Sequence, residues 1–131
     1  MTERLQLYKC EVCGNVVQVI LEGEGELVCC GQPMNHMTPK KNDENANEKH
    51  VPVFVKTENG EEIRVGSTPH PMENEHYIMF IECISEDKNS MKLHYLYPQQ
   101  EPKMLIKEAA DKYKALEYCN IHGLWEGNND K

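Results

Sequence analysis

Residues 51–67 read VPVFVKTENGEEIRVGS, two stretches containing valine and isoleucine on either side of Asn59-Gly60. Asn-Gly suits a tight turn between antiparallel strands because both residues tolerate positive φ. HYIMFIECIS (76–85) and SMKLHYLYP (90–98) repeat the pattern around EDKN, and more turn signals follow at short intervals. Short strands with frequent turns predict an all-β fold, a compact antiparallel sandwich.

One segment of this region is ambiguous. IKEAADKYKALEYC (106–119) is rich in Ala, Glu, Lys and Leu, which favour helix. Propensity alone does not decide between helix and strand there, so both alternatives stay open.

The N-terminal part of the chain has a different character. In LYKCEVCGNVVQVILEGEGELVCCGQPM (7–34), two apolar stretches flank EGEGE, which predicts a short hairpin with cysteines at both ends. So small a segment buries little apolar area and needs a staple such as a metal. TPKKNDENANEK (38–49) has the polar composition of a linker. We therefore expect a small domain at 1–37, a linker at 38–49 and a sandwich domain at 50–131.

Charge and hydropathy narrow the possible partners. The chain has 22 acidic and 14 basic residues, a formal net charge of −8, and no basic cluster interleaved with aromatic residues. This argues against nucleic acid. MTERLQLYKC at the start has no apolar signal region, and no later apolar run is long enough for a membrane span. We expect no membrane association and a cytoplasmic location, and an anionic substrate would need local positive charge.

A first metal site is predicted from cysteine spacing, since four of the six cysteines fall in the first 30 residues. Four thiolates close a tetrahedron around zinc or a single iron, and the glycine after each pair allows a tight turn. A disulfide between adjacent cysteines would be strained. Such a closed site holds structure or passes electrons but does not bind a substrate; its ligands would be Cys10, Cys13, Cys29 and Cys30.

A second site is predicted from EYCNIHG (117–123), which places a cysteine and a histidine three positions apart. Three further histidines lie in loop contexts, EKHVP, STPHPM and ENEHY. Four imidazoles and one thiolate would fill five positions of an octahedral metal and leave the sixth open. Structural zinc rarely takes five ligands, and blue copper expects an axial Met that is absent after His122. Iron with an open position fits best, on His50, His70, His76, Cys119 and His122.

The remaining candidates receive ordinary interpretations. His94 shares a strand face with Lys92 and is expected on the surface, as is His36 at the edge of the linker. Cys83 lies within the apolar YIMFIECI and is expected to be a buried core thiol.

These motifs together resemble one known family over essentially the whole chain. YKCEVCGN, ELVCCGQ.M, EKHVPV, HPM, EHYI and EYCNIHG.W occur in the order and with the gaps of the two-iron superoxide reductases called desulfoferrodoxins. The resemblance implies a desulforedoxin- or rubredoxin-like knuckle with iron on its four cysteines, followed by an immunoglobulin-like sandwich in which residues 109–119 supply strand. It implies equatorial histidines and an axial Cys119 around the second iron.

The resemblance also implies an activity and partners. Such proteins are typically homodimers that reduce superoxide to hydrogen peroxide without producing oxygen, with electrons from rubredoxin or a similar donor. Glu48 would ligate the ferric iron after product release, and Lys49 would add positive charge and order water. Apart from the resemblance, we expect backbone amides in the CNIHG turn, those of Asn120 and Ile121 or others nearby, to donate to the Cys119 sulfur. Tyr118 and Trp125 are assigned packing roles.

A second hypothesis comes from a different class of protein. The four-cysteine knuckle would be a structural zinc site or an electron-transfer centre, and the β domain would dock a partner. That protein would need neither Cys119 nor the four histidines, whereas the enzyme would need nearly all of them.

Overall fold

The computed structural model describes residues 1–41, 47–106 and 112–129. The chain divides into two compact units, Met1–Thr38 and Pro39–Lys131. No helix in the described ranges is long and apolar enough to cross a membrane.

The first unit is made of short strands closed by tight turns. Strand β1 pairs with β2 and β5, and β3 pairs with β4; the strands are β1 Leu7–Lys9, β2 Val16–Gln18, β3 Val28–Cys29, β4 Gln32–Pro33 and β5 Asn35–His36. The prediction of one hairpin around EGEGE is therefore wrong, because its two apolar stretches pair with other partners. Gly14, Cys30 and Gly31 have φ of 86°, 53° and 73°, so each cysteine pair turns the chain back locally.

The second unit contains two antiparallel sheets. One has the strand order β10-β7-β6 and the other β12-β11-β8-β9. The first sheet comprises β6 Pro52–Thr57, β7 Gly60–Val65 and β10 Lys103–Ile106; the second comprises β8 Ile78–Ser85, β9 Met91–Tyr95, β11 Tyr113–Cys119 and β12 Gly123–Asn128. A four-residue helix, α1 Asn47–His50, precedes β6. The Asn59-Gly60 hairpin is confirmed, with Thr57 paired to Gly60.

The hydrophobic core lies between these two sheets. Ile63 and Val65 of β7 and Met104 of β10 cluster with Ile81 of β8 and Ala115 of β11, and all are buried. Inward-facing side chains from two stacked antiparallel sheets form a sandwich. The predicted all-β fold, a small metal knuckle followed by an immunoglobulin-like sandwich, is confirmed.

The ambiguous segment is a strand where the structure describes it. Residues 113–119 form β11, which lies between β8 and β12 and is buried on both faces from Ala115 onward. Pairing on both sides outweighs the helix propensity of its Ala, Leu and Glu residues. The preceding part of the predicted strand, residues 109–111, lies outside the described residues.

Candidate metal centres

The four N-terminal cysteines converge in the first unit. Their sulfur atoms lie within 4.8 Å of one another, and none forms a disulfide. The backbone amide of Cys13 donates to the Cys10 sulfur at 3.4 Å, and the Asn15 side-chain amide lies 3.8 Å from the Cys29 sulfur. These donors are positioned to stabilise thiolate charge.

The thiols of this cluster do not ionise equally, because a thiolate on one cysteine disfavours ionisation of its neighbours. The hydrogen bond from the Cys13 amide lowers the pKa of Cys10 to about 6, whereas contacts with Cys13, Cys29 and Cys10 raise the pKa of Cys30 to about 12. Neighbouring thiols likewise raise the pKa of Cys29. A cation is therefore needed to hold all four as thiolates at neutral pH, so the donors fit a tetrahedral metal.

The second unit brings four histidines into a closed ring. Centroid distances between neighbouring imidazoles are 4.7 Å for His50–His70, 4.7 Å for His70–His76, 5.1 Å for His76–His122 and 4.7 Å for His122–His50. The Cys119 sulfur lies within 4.8 Å of ligand atoms on His50 and His70. The structure thus brings together all five residues predicted for this site.

Separate elements deliver these five side chains. His50 ends α1, His70 and His76 lie between β7 and β8, Cys119 ends β11, and His122 lies in the turn before β12. Register along β11 aims Ala115, Glu117 and Cys119 at the core because alternate residues of a strand share a face. The fold therefore gathers ligands from three distant parts of the sequence.

Two ring nitrogens in this cluster have no hydrogen-bond partner. Buried Nε2 of His70 and Nε2 of His76 make no hydrogen bond within the described residues. Nδ1 of His70 lies 2.7 Å from the carbonyl oxygen of Pro71, which can only accept a hydrogen bond. Nδ1 therefore carries the proton, and Nε2 has a lone pair available to a metal. Orphaned buried nitrogens beside a cysteine fit a metal ion bound among them.

The electrostatics keep these imidazoles neutral. Burial, assisted by the neighbouring histidines, lowers the pKa of His50 to about 4. Burial also lowers the pKa of His70 to about 4 and shifts that of His76 in the same direction. Neutral imidazole is the form that binds a metal, so the three rings are ready to ligate at neutral pH.

Cys119 is fully buried, and its sulfur accepts a hydrogen bond from the His122 amide at 3.5 Å. Burial raises the pKa of Cys119, while the amides of His122 and Ile121 oppose that shift. The predicted donation from Asn120 is wrong, because its amide donates to the Tyr77 carbonyl instead, at 3.2 Å. The amides that face the sulfur are those of Ile121 and His122.

The other predicted residues lie as follows. His36 and His94 are exposed, and Cys83 is buried in the core, which confirms the three ordinary interpretations. Trp125 is buried and stacks on His50 with centroids 4.9 Å apart. Tyr118 stacks on Phe80. Lys49 is exposed and is adjacent to His50 in the sequence. The side chain of Glu48 lies outside the described residues.

Two residues around the cluster, Glu117 and Lys40, and the side-chain contacts of Asn120 were missed from the sequence. Glu117 is fully buried, with Oε2 3.7 Å from Nδ1 of His50. Asn120 bonds to the backbone on both sides of His76, and Lys40 contacts the His122 carbonyl. Only Glu117 had a usable signal, since it precedes Cys119 by two residues and would share its face in a strand.

The fold and the two clusters define a class of protein, in which a four-thiolate knuckle precedes a β-sandwich bearing an imidazole and thiolate cluster. The family model described as desulfoferrodoxin matches residues 42–128, and that described as desulfoferrodoxin, N-terminal domain, matches residues 2–37. The chain belongs to the desulfoferrodoxin family. This confirms the resemblance noted in the sequence.

Individual relatives agree with this assignment. The chain is 50% identical over 129 residues to the desulfoferrodoxin of Desulfarculus baarsii, covering 98% of this chain and 100% of the relative. It is 50% identical over 126 residues to a desulfoferrodoxin homolog of Archaeoglobus fulgidus, covering 96% and 98%. The solved superoxide reductase of Treponema pallidum matches with a TM-score of 0.71 and 25% identity, covering 97% of this chain and 99% of that one.

Proposed function

We propose that this protein is a superoxide reductase, in which one electron and two protons convert superoxide to hydrogen peroxide without release of oxygen. The observation that carries the proposal is the closed ring of four imidazoles beside a buried cysteine. Five donors of this kind suit an octahedral iron with one position left for a small ligand. The name of the Treponema pallidum relative supports superoxide as the substrate.

Two irons per chain are part of the proposal. One would be held by Cys10, Cys13, Cys29 and Cys30, whose sulfurs all lie within 4.8 Å of one another. The other would be held by the four-histidine ring and Cys119. Iron bound in the second cluster supplies the electron that reduces superoxide.

The residues around the second cluster favour binding of an anion by leaving the site with positive charge. Neutral imidazoles leave a ferrous ion with a single thiolate at a net charge of about +1. The exposed Lys49 next to His50 adds positive charge at the protein surface. Local positive charge in an acidic chain speeds capture of an anion by roughly ten- to a thousandfold.

Three further contributions come from the chain. Cys119 would hold the iron as a thiolate and would donate electron density to it, and the His122 and Ile121 amides beside the sulfur would moderate that donation. Lys49 orders the water through which two protons reach the reduced product. Glu48 is proposed as a carboxylate ligand after product release.

We infer a homodimer in the cytoplasm that takes electrons from rubredoxin or a similar donor. The competing hypothesis, an electron-transfer or zinc-stabilised binding protein, gives no reason for two buried imidazole nitrogens, on His70 and His76, that have no hydrogen bond within the described part of the second unit.

The test replaces one ring histidine and one surface histidine. We expect His76→Ala to lower the rate of superoxide reduction by about a hundredfold or more, because a ligand is lost. His94→Ala, at an exposed position, should leave the rate unchanged. Full activity in His76→Ala with wild-type circular dichroism would refute the assignment of the second cluster.

A further inference from the structure

Lys40 is fixed at its backbone beside β12. Its amide donates to the Leu124 carbonyl at 2.9 Å, and the Glu126 amide donates to the Lys40 carbonyl at 2.9 Å. The two bonds form a parallel bridge with Trp125. The sequence placed Lys40 in a polar linker, yet its main chain forms hydrogen bonds with the residues immediately before and after Trp125.

The side chain of Lys40 is fixed at its tip as well. Nζ donates to the His122 carbonyl at 3.1 Å and lies 5.2 Å from the centroid of the Trp125 ring. Nε1 of Trp125 donates to the same carbonyl at 3.1 Å. A lysine held by a carbonyl and an aromatic face loses the freedom that usually makes a surface charge ineffective.

This fixed charge lies beside the second cluster. The His122 carbonyl it contacts belongs to a ring histidine, and the Trp125 ring beneath it stacks on His50 with an interplanar angle of 13°. The Lys40 ammonium is therefore one carbonyl away from one candidate ligand, His122, and one aromatic ring away from another, His50. A positive charge here opposes the addition of further positive charge among these ligands.

We propose that Lys40 is a positioning residue that tunes the second iron: its ammonium, clamped between the His122 carbonyl and the Trp125 ring, favours the ferrous over the ferric state. The inference rests on the proposed iron site and extends it to a residue outside the ligand set. Reduction lowers the charge of the metal by one unit, so a fixed cation nearby stabilises the reduced form. Without Lys40 the midpoint potential of the second iron falls.

Lys41 provides a matched control one residue away. Its Nζ lies 3.6 Å from Oε2 of Glu126, and its side chain is 71% exposed. Lys41→Gln removes the same formal charge from the same segment without touching the His122 carbonyl. Any effect of net charge alone is therefore common to both variants.

The experiment is a redox titration of the iron-loaded full chain, followed by the visible band of the second site. We expect Lys40→Gln to shift the ferric to ferrous ratio at fixed potential about three- to tenfold toward ferric. Lys41→Gln should match the wild type. Lys40→Arg, which retains the charge and can reach the carbonyl, should restore most of the wild-type potential.

The outcomes separate this inference from the proposed function. If Lys40→Gln and Lys41→Gln have the same midpoint potential, Lys40 has no special role and the inference is overturned. A wild-type chain that binds no iron in the second cluster would overturn the proposed function itself. Should Lys40→Arg behave like Lys40→Gln, the fixed charge would not be the cause.

Discussion

Glu117 lies two residues before Cys119 on the same face of β11, and neither carboxylate oxygen has a hydrogen-bond partner within the described residues. Burial raises the pKa of this carboxyl well above its ordinary value. Its Oε2 is 3.7 Å from Nδ1 of His50. A carboxyl group behind a ligating imidazole orients the ring and adjusts its basicity, so Glu117 is placed to support His50.

We predict that Glu117→Ala lowers the ferrous affinity of the second site by roughly ten- to a hundredfold, since His50 loses its partner. Glu117→Gln should lose less because its amide oxygen keeps a hydrogen-bond acceptor facing Nδ1 of His50. The measurement is competition against a chelator, followed by the second-site absorption.

The matched control is Glu82→Ala. Glu82 is equally buried but faces the opposite side of the same sheet, because it pairs with Leu116 whereas Glu117 pairs with Ile81. An equal loss of affinity in Glu82→Ala would mean that the effect comes from general destabilisation.

At the scale of elements, Asn120 ties the turn after β11 to the loop before β8. Its Oδ1 accepts from the Tyr77 amide at 3.0 Å and its Nδ2 donates to the Glu75 carbonyl at 2.9 Å. Its backbone amide donates to the Tyr77 carbonyl at 3.2 Å. These bonds bracket His76, so the two segments that carry His76 and Cys119 are held in one arrangement.

We predict that Asn120→Ala perturbs the spectrum of the second iron while costing about 1–2 kcal/mol of stability. The control is Asn129→Ala, which removes a similar bond, from the Tyr113 amide at 2.8 Å, at the other end of β11. It should cost similar stability and leave the spectrum intact. Unchanged metal spectra in both variants would contradict the role of Asn120.

The strands also show which parts of the fold could be predicted from the sequence. Asn59-Gly60 defined its hairpin because turn chemistry is local. The predicted hairpin around EGEGE does not form because β2 pairs with β1 and β3 pairs with β4, rather than β2 with β3. Residues 113–119 needed strand partners on both sides to become β11. Spacing alone pointed to the cysteine cluster, whose ligands are close in sequence.

The geometry of the second cluster, unlike that of the cysteine cluster, could not be predicted from spacing. The five side chains of the second cluster were found from residue type and from family resemblance, but the cluster they form depends on how three distant segments fold together. Lys40 and Asn120 act through hydrogen bonds to backbone groups far away in sequence. Such contacts leave no pattern in a single sequence.

At the scale of the whole molecule, each unit carries its own donor set. All four cysteines of the first cluster lie within Met1–Thr38, and all five side chains of the second lie within Pro39–Lys131. The formal net charge of −8 would repel an anion, so the second cluster and its neighbouring lysines must supply the attraction locally. The first unit therefore carries a closed four-thiolate site, and the second carries a site suited to a small anionic ligand.

The measurement that tests the central claim most directly is the product balance of superoxide with the fully reduced, iron-loaded protein. Pulsed superoxide should give one hydrogen peroxide for each superoxide consumed, without oxygen, as a thiolate-to-iron band grows at the second site. Oxygen released together with peroxide in the proportions of dismutation, or no reaction by protein with both sites full, would contradict the account.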